Sequence, residues 1–132
     1  MVREVRKEEA EKFIKKSEEF YNSALENYQK GRYDVCVFDS SQAIILANDA
    51  FCIFILGRRA SMEHKEAIKV HVEAAAGKEN KRDILTEALE KRSEYGYTET
   101  TASEKEANLL LIRSKRFLDW VKERIGYEVT ST

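Results

Sequence analysis

The stretch "GRRASMEH", Gly57 to His64, holds the residues whose types and spacing best suit chemistry. Arg59 stands five positions before His64, one of two histidines in 132 residues. A guanidinium can hold a phosphate while an imidazole moves a proton, and some ribonucleases cut RNA with such a pair. Arg58, six positions from His64, fits the same use. A structural reading competes with this one. The stretch is then a loop between helices, with Arg58 and Arg59 complementing the negative end of the preceding helix dipole and His64 opening the next helix.

The remaining reactive residue types weigh against other chemistries. His71 lies seven residues after His64. That is two helical turns, roughly 10 Å along the axis, too far for both to ligate one metal. It reads as a half-buried histidine of a bundle. Cys36 and Cys52 fall in one predicted helix, roughly 24 Å apart, beyond disulfide reach. They read as reduced thiols, which suits a cytoplasmic protein. Arg92, Glu94 and Tyr95 read as a structural corner, with Tyr95 packed back on the bundle and Arg92 paired to Asp39 or Asp49. Arg113, Lys115 and Arg116 with Trp120 form a basic–aromatic stretch that suits stacking a base and holding a phosphate, or is simply the wet side of an amphipathic helix. There is no Gly-rich phosphate loop, no Ser–His–Asp order and no cofactor motif. No metal site and no cofactor are expected.

These residues must be carried by few, long elements, because the chain has no Pro and only five Gly. The 23 basic and 24 acidic residues nearly cancel, so no global field draws the chain to nucleic acid or membrane. The charged N-terminal stretch does not read as a secretory signal, and the apolar run from Ala50 to Gly57 is too short to span a bilayer. Apolar steps of three and four predict a first helix over about Val5 to Lys30, capped by Gly31, with Ala10, Phe13, Ile14, Ser17, Tyr21, Ala24, Leu25 and Tyr28 inward. A second helix runs from Tyr33 to Leu56 and becomes apolar nearly all round. A buried strand at Phe51 to Leu56 is the alternative, but no second strand exists to pair with it.

After a connection over Gly57 to Met62, a third helix is expected over Glu63 to Ala76, with Ile68, Val72 and Ala75 inward. A fourth runs from Lys81 to Glu94 on Ile84, Leu85, Ala88 and Leu89, followed by a loop, "YGYTETTAS". The last opens on "SEKE", which fits a capping box of Ser103 and Glu106. Its inward set is Ala107, Leu110, Leu111, Ser114, Phe117, Leu118, Val121 and Ile125. The fold expected is all-α: an antiparallel up-and-down bundle of about five helices in one domain, residues 1–126, with a frayed tail at 127–132. The second helix carries more apolar surface than one small bundle is expected to cover. Its surplus is expected to bury in a second copy of the chain, through Ser40, Ala43, Ala47, Ala50, Phe51 and Phe54, with Asn48 and Asp49 as an interface polar pair.

The order of the pieces resembles the HEPN domains of prokaryotes. "ENYQKGRYDVCVFDSSQAIILANDAFCIFIL" supplies Gly31 and Tyr33. "HKEAIKV" follows with His64, "KRSEYGY" with Arg92, Glu94, Tyr95 and Gly96, and "SEKEANLLLIRSKRFLDWVKERI" with Glu106, Ala107 and Phe117. Cys36 and Val37 stand where alanine is usual in that family, Glu94 where aspartate is common, and Ser114 takes the small position of the last helix. The resemblance implies a dimeric helical bundle similar to the substrate-binding subunits of nucleotidyltransferases, often partnered by a minimal nucleotidyltransferase.

Some members are ribonuclease toxins of toxin–antitoxin pairs and some are proposed to bind nucleotides. The ribonuclease branch places its arginine–histidine pattern late in the bundle, usually with a polar residue after the arginine. Here Arg59 precedes Ala60 and joins the second and third helices, and no histidine follows His71. The expected function is therefore a non-catalytic, homodimeric interaction module that binds a nucleotidyltransferase partner or a nucleotide, the latter at Arg58, Arg59, His64 and Arg92. The alternative is a metal-independent endoribonuclease using Arg59 and His64.

Overall fold

The computed structural model describes residues 2–60 and 64–127, and every regular element among them is helical. The helices are α1 (Val2–Gln29), α2 (Tyr33–Leu56), α3 (His64–Ala75), α4 (Arg82–Tyr97) and α5 (Glu104–Arg124). The all-α bundle expected from periodicity is thus the fold found. The predicted opening of α3 at Glu63, the end of the preceding connection and the tail at 128–132 lie outside the described residues. Helix α4 runs three residues beyond its predicted end, so Tyr95 and Gly96 are helical rather than part of a loop.

Helix α1 stops where Gly31 adopts φ 75, a left-handed conformation that costs glycine little. Arg32 N–H then reaches the Asn27 carbonyl at 2.8 Å and Gly31 N–H the Tyr28 carbonyl at 3.1 Å, which satisfies two orphan acceptors. The chain turns back, and α2 runs antiparallel to α1, with Ser17 beside Ala43 and Ser23 beside Asp39. Ser17 Oγ donates to the Ala43 carbonyl at 2.6 Å. That close approach needs the small side chains of the facing stretch of α2.

Helix α2 touches all four other helices. Ser40, Ala43, Ala47 and Ala50 are fully buried, and Phe51 nearly so, within a single chain. The expected interface on these residues is corrected accordingly: their surface is consumed by the protein's own helices, and only Phe54 of that set remains half-buried. Asn48 and Asp49 are likewise covered internally. By length and composition α2 could cross a membrane, but 67% of its most apolar stretch is buried in the bundle, which accounts for that composition.

Helix α5 buries its whole predicted stripe, together with Trp120 and Lys122. Lys122 Nζ donates to Glu18 on α1 at 2.8 Å. Helix α3 turns a different face inward than expected: Ala67, Val70, His71, Ala74 and Ala75 are buried, while Ile68 and Val72 are only half-buried. On α1, Leu25 stays at the surface.

The coverage of α2 has a direct test. Ala43→Leu would force a larger side chain between α1 and α2, and overpacking of this kind costs about 1–3 kcal/mol. Denaturant unfolding should show that loss at any protein concentration. A residue lying between two copies would instead make the loss depend on concentration.

Candidate functional site

The α2–α3 connection begins at Gly57, whose φ of 76 caps α2 and sends its N–H to the Ile53 carbonyl at 2.9 Å. A Cβ there would sit 2.8 Å from the Arg6 guanidinium, so glycine also permits α1 to close over this end. Three arginines, Arg6, Arg58 and Arg59, gather where the α2 dipole is negative.

They face different partners. Arg58 donates to Glu73 on α3 at 2.7 Å, with both side chains about half exposed. Arg59 turns the other way. Its guanidinium lies 4.8 Å from the Phe13 ring centroid and donates to Asp49 Oδ2 at 2.9 Å. Asp49 is 4% exposed against 52% for Arg59, so the pair is anchored at its acidic end. Burial holds the Asp49 carboxyl above its ordinary range. The Arg59 hydrogen bond and charge, the Ala60 backbone N–H and the charge of Arg92 act against that rise.

Arg92 on α4 makes no ion pair with Asp39 or Asp49 among the described residues, and only its charge bears on Asp49. Asp39 accepts from Ser23 at 2.6 Å and from Asn27 at 3.2 Å. Of the four residues expected to meet a nucleotide, Arg59 is bound to Asp49, Arg92 acts on Asp49 only through its charge, Arg58 is turned to Glu73, and His64 stands half-buried at the first position of α3.

The second histidine is wholly inside the protein, a correction to its half-buried expectation. His71 Nδ1 and Asn48 Oδ1 lie 2.7 Å apart, while Lys81 N–H donates to His71 Nε2 at 2.9 Å. Because Nε2 accepts, the proton resides on Nδ1 and is donated to Asn48. Rings of Phe51, Trp120 and Phe117 lie 5.5, 5.7 and 6.1 Å from the imidazole. Burial pushes its pKa down to about 4. The signal available in the sequence was the pairing of His71 with Asn48, two polar residues inside otherwise apolar helical stretches.

The α4–α5 corner differs in detail from the expected capping box. Ser103 Oγ accepts from Glu106 N–H at 3.1 Å as predicted. The Glu106 carboxylate, however, turns to Lys91 and Tyr95, each donating at 2.9 Å. Tyr95 does pack back on the bundle, and burial together with Glu106 pushes its phenol up to about 12. In the basic stretch of α5, Arg113 is bound to Glu87 at 2.6 Å and Lys115 to Asp119 at 2.7 Å. Trp120 is 9% exposed, with Phe51 at 5.0 Å and Arg124 over its ring at 5.0 Å, so it offers no open face to a base. Both cysteines are buried, and burial pushes Cys52 up to about 12, which keeps it in the thiol form.

These features define an all-α module built round one buried helix whose Asp39, Asn48 and Asp49 are met by groups outside it. Comparison with family profiles matches residues 10–124 to the HEPN domain, and the chain belongs to that family. Comparison with curated proteins finds no match.

Two outcomes follow from the geometry. Arg59→Gln would leave a buried carboxylate without its cation and should cost about 3 kcal/mol in thermal unfolding, whereas Asp49→Asn should cost under about 1 kcal/mol, since the freed guanidinium is hydrated. The raised Asp49 pKa means its ionised form opposes folding, so this group favours stability at low pH and less so as pH rises through its folded value. His71 acts in the opposite sense. Its pKa is depressed, so its contribution is complete above about 6.5 and is lost as pH falls towards about 4, on the order of 3 kcal/mol in all. A His71→Gln variant should flatten the stability–pH curve across that window, as urea unfolding at successive pH values would show.

Proposed function

We propose that this protein is a non-catalytic interaction module, a homodimeric HEPN domain that binds a minimal nucleotidyltransferase partner or a nucleotide. The observation that carries this reading is the Arg59–Asp49 pair. An arginine meant for a scissile phosphate should face solvent with a proton-transfer group beside it. Here it is committed to a buried carboxylate and an aromatic ring. His71 has both ring nitrogens engaged inside the core. The arginines gathered at the C-terminal end of α2 and the charge of Arg92 leave a surface suited to docking a negatively charged group without cutting it. Dimerisation would use what α2 leaves open, such as Phe54 and Ile55, rather than its buried small residues. A cytoplasmic setting agrees with two buried, unpaired thiols.

The ribonuclease reading keeps one observation in its favour: Arg59 is half exposed, and His64 opens α3 a few residues later. Purified protein and a His64→Ala variant, incubated with RNA, separate the two. The module reading expects the same background cleavage from both. Loss of a robust activity in the variant would replace it with the nuclease reading. Light scattering on the same preparation should give twice the chain mass, and a monomer at micromolar concentration would remove the homodimer from the proposal.

A further inference from the structure

A groove of about 490 Å³ lies between α4 and α5. The helices run antiparallel there and are tied across by Arg113 to Glu87 at 2.6 Å, while Arg124 reaches Glu79, in the connection before α4, at 3.9 Å. Ile84, Phe117 and Trp120 supply its apolar lining, with Lys81 and Arg116 among its charged residues. Its volume is that of a small-molecule site.

Two groups in this lining lack the partners their chemistry calls for. The Trp120 indole N–H is buried with no acceptor among the described residues. A buried donor left without an acceptor is costly. Arg116 is exposed and, unlike Arg113 and Lys115 on the same helix, has no carboxylate within ion-pair distance among the described residues.

We propose that this groove binds a small organic monoanion, with an apolar body and a single carboxylate or phosphodiester head. The head pairs with Arg116, and the body lies against Ile84, Phe117 and Trp120. The surroundings select against larger anions. Asp119 and Glu123 also line the groove and repel a second negative charge. Arg113 and Lys115 are already neutralised, so a polyanion finds no row of free cations. The covered faces of Trp120 exclude stacking of a base on it. This inference is separate from the Arg59–Asp49 region and stands or falls without it.

Trp120 is the only tryptophan, so its emission reports on the groove directly. The full chain is titrated with 4-phenylbutyrate, methyl phenyl phosphate, the uncharged 4-phenylbutanol and inorganic phosphate. At least one of the two aromatic anions should shift the emission saturably. The alcohol and inorganic phosphate should bind about tenfold more weakly, since a charge-assisted contact or the apolar contact is missing. Whichever anion wins assigns the head as carboxylate or phosphodiester. Arg116→Gln should weaken binding about tenfold while Lys12→Gln, an exposed change on α1, should not. Ile84→Phe, which fills the groove, should abolish the shift, with circular dichroism showing that each variant is folded. No saturable shift up to about 10 mM, or equal binding by Arg116→Gln, overturns the proposal.

Discussion

Helix α2 is covered by its own chain, and its buried Asp39, Asn48 and Asp49 find partners outside the helix. Asp39 meets Ser23 and Asn27 on α1, Asn48 meets His71 on α3, and Asp49 meets Arg59 at the start of the α2–α3 connection. Apolar packing alone tolerates sliding by a turn, because one alanine resembles another. A hydrogen bond in the interior does not, since a missed partner costs the full desolvation of the group. These three contacts therefore fix the register of α1 and α3 on α2. The Lys81 N–H on His71 passes that register on to the start of α4.

The same contacts explain which parts of the structure could be read from the amino-acid order. Helix α5 was legible to the residue because its stripe is apolar at every inward step, from Ala107 to Ile125, with charges between. Helix α3 was misjudged by part of a turn. Its inward face includes His71, a polar residue that periodicity assigns to the outside unless its partner on another helix is known. Trp120 and Lys122 failed for a related reason. One lies beside a basic run and the other is itself basic, and both are drawn inside by neighbours distant in sequence, Phe51 and Glu18. The apolar composition of α2 does not say how much of its surface four neighbouring helices enclose, and here they take Ser40, Ala43, Ala47 and Ala50 completely.

For the candidate site, spacing correctly singled out the stretch at Arg58 and Arg59, but not what those side chains do. Two adjacent arginines point to opposite sides of the α2 terminus, one to a surface glutamate and one to a buried aspartate. Sequence proximity between Arg59 and His64 therefore does not by itself fix what either side chain faces. Membership in the HEPN family fixes the architecture, while the use of that architecture depends on such side-chain commitments.

The short link at Gly31 has a further consequence for how the chain is made. Helices α1 and α2 are long, antiparallel and separated by only a few residues, so they can zip together as soon as both have left the ribosome. The side of α2 that faces α5 has no cover until residues 104–124 have been synthesised. For the time taken to translate the intervening stretch, a sticky flank of the hairpin is bare. That interval, rather than any weakness of the finished bundle, is when the nascent polypeptide is most exposed to self-association and most in need of a holdase.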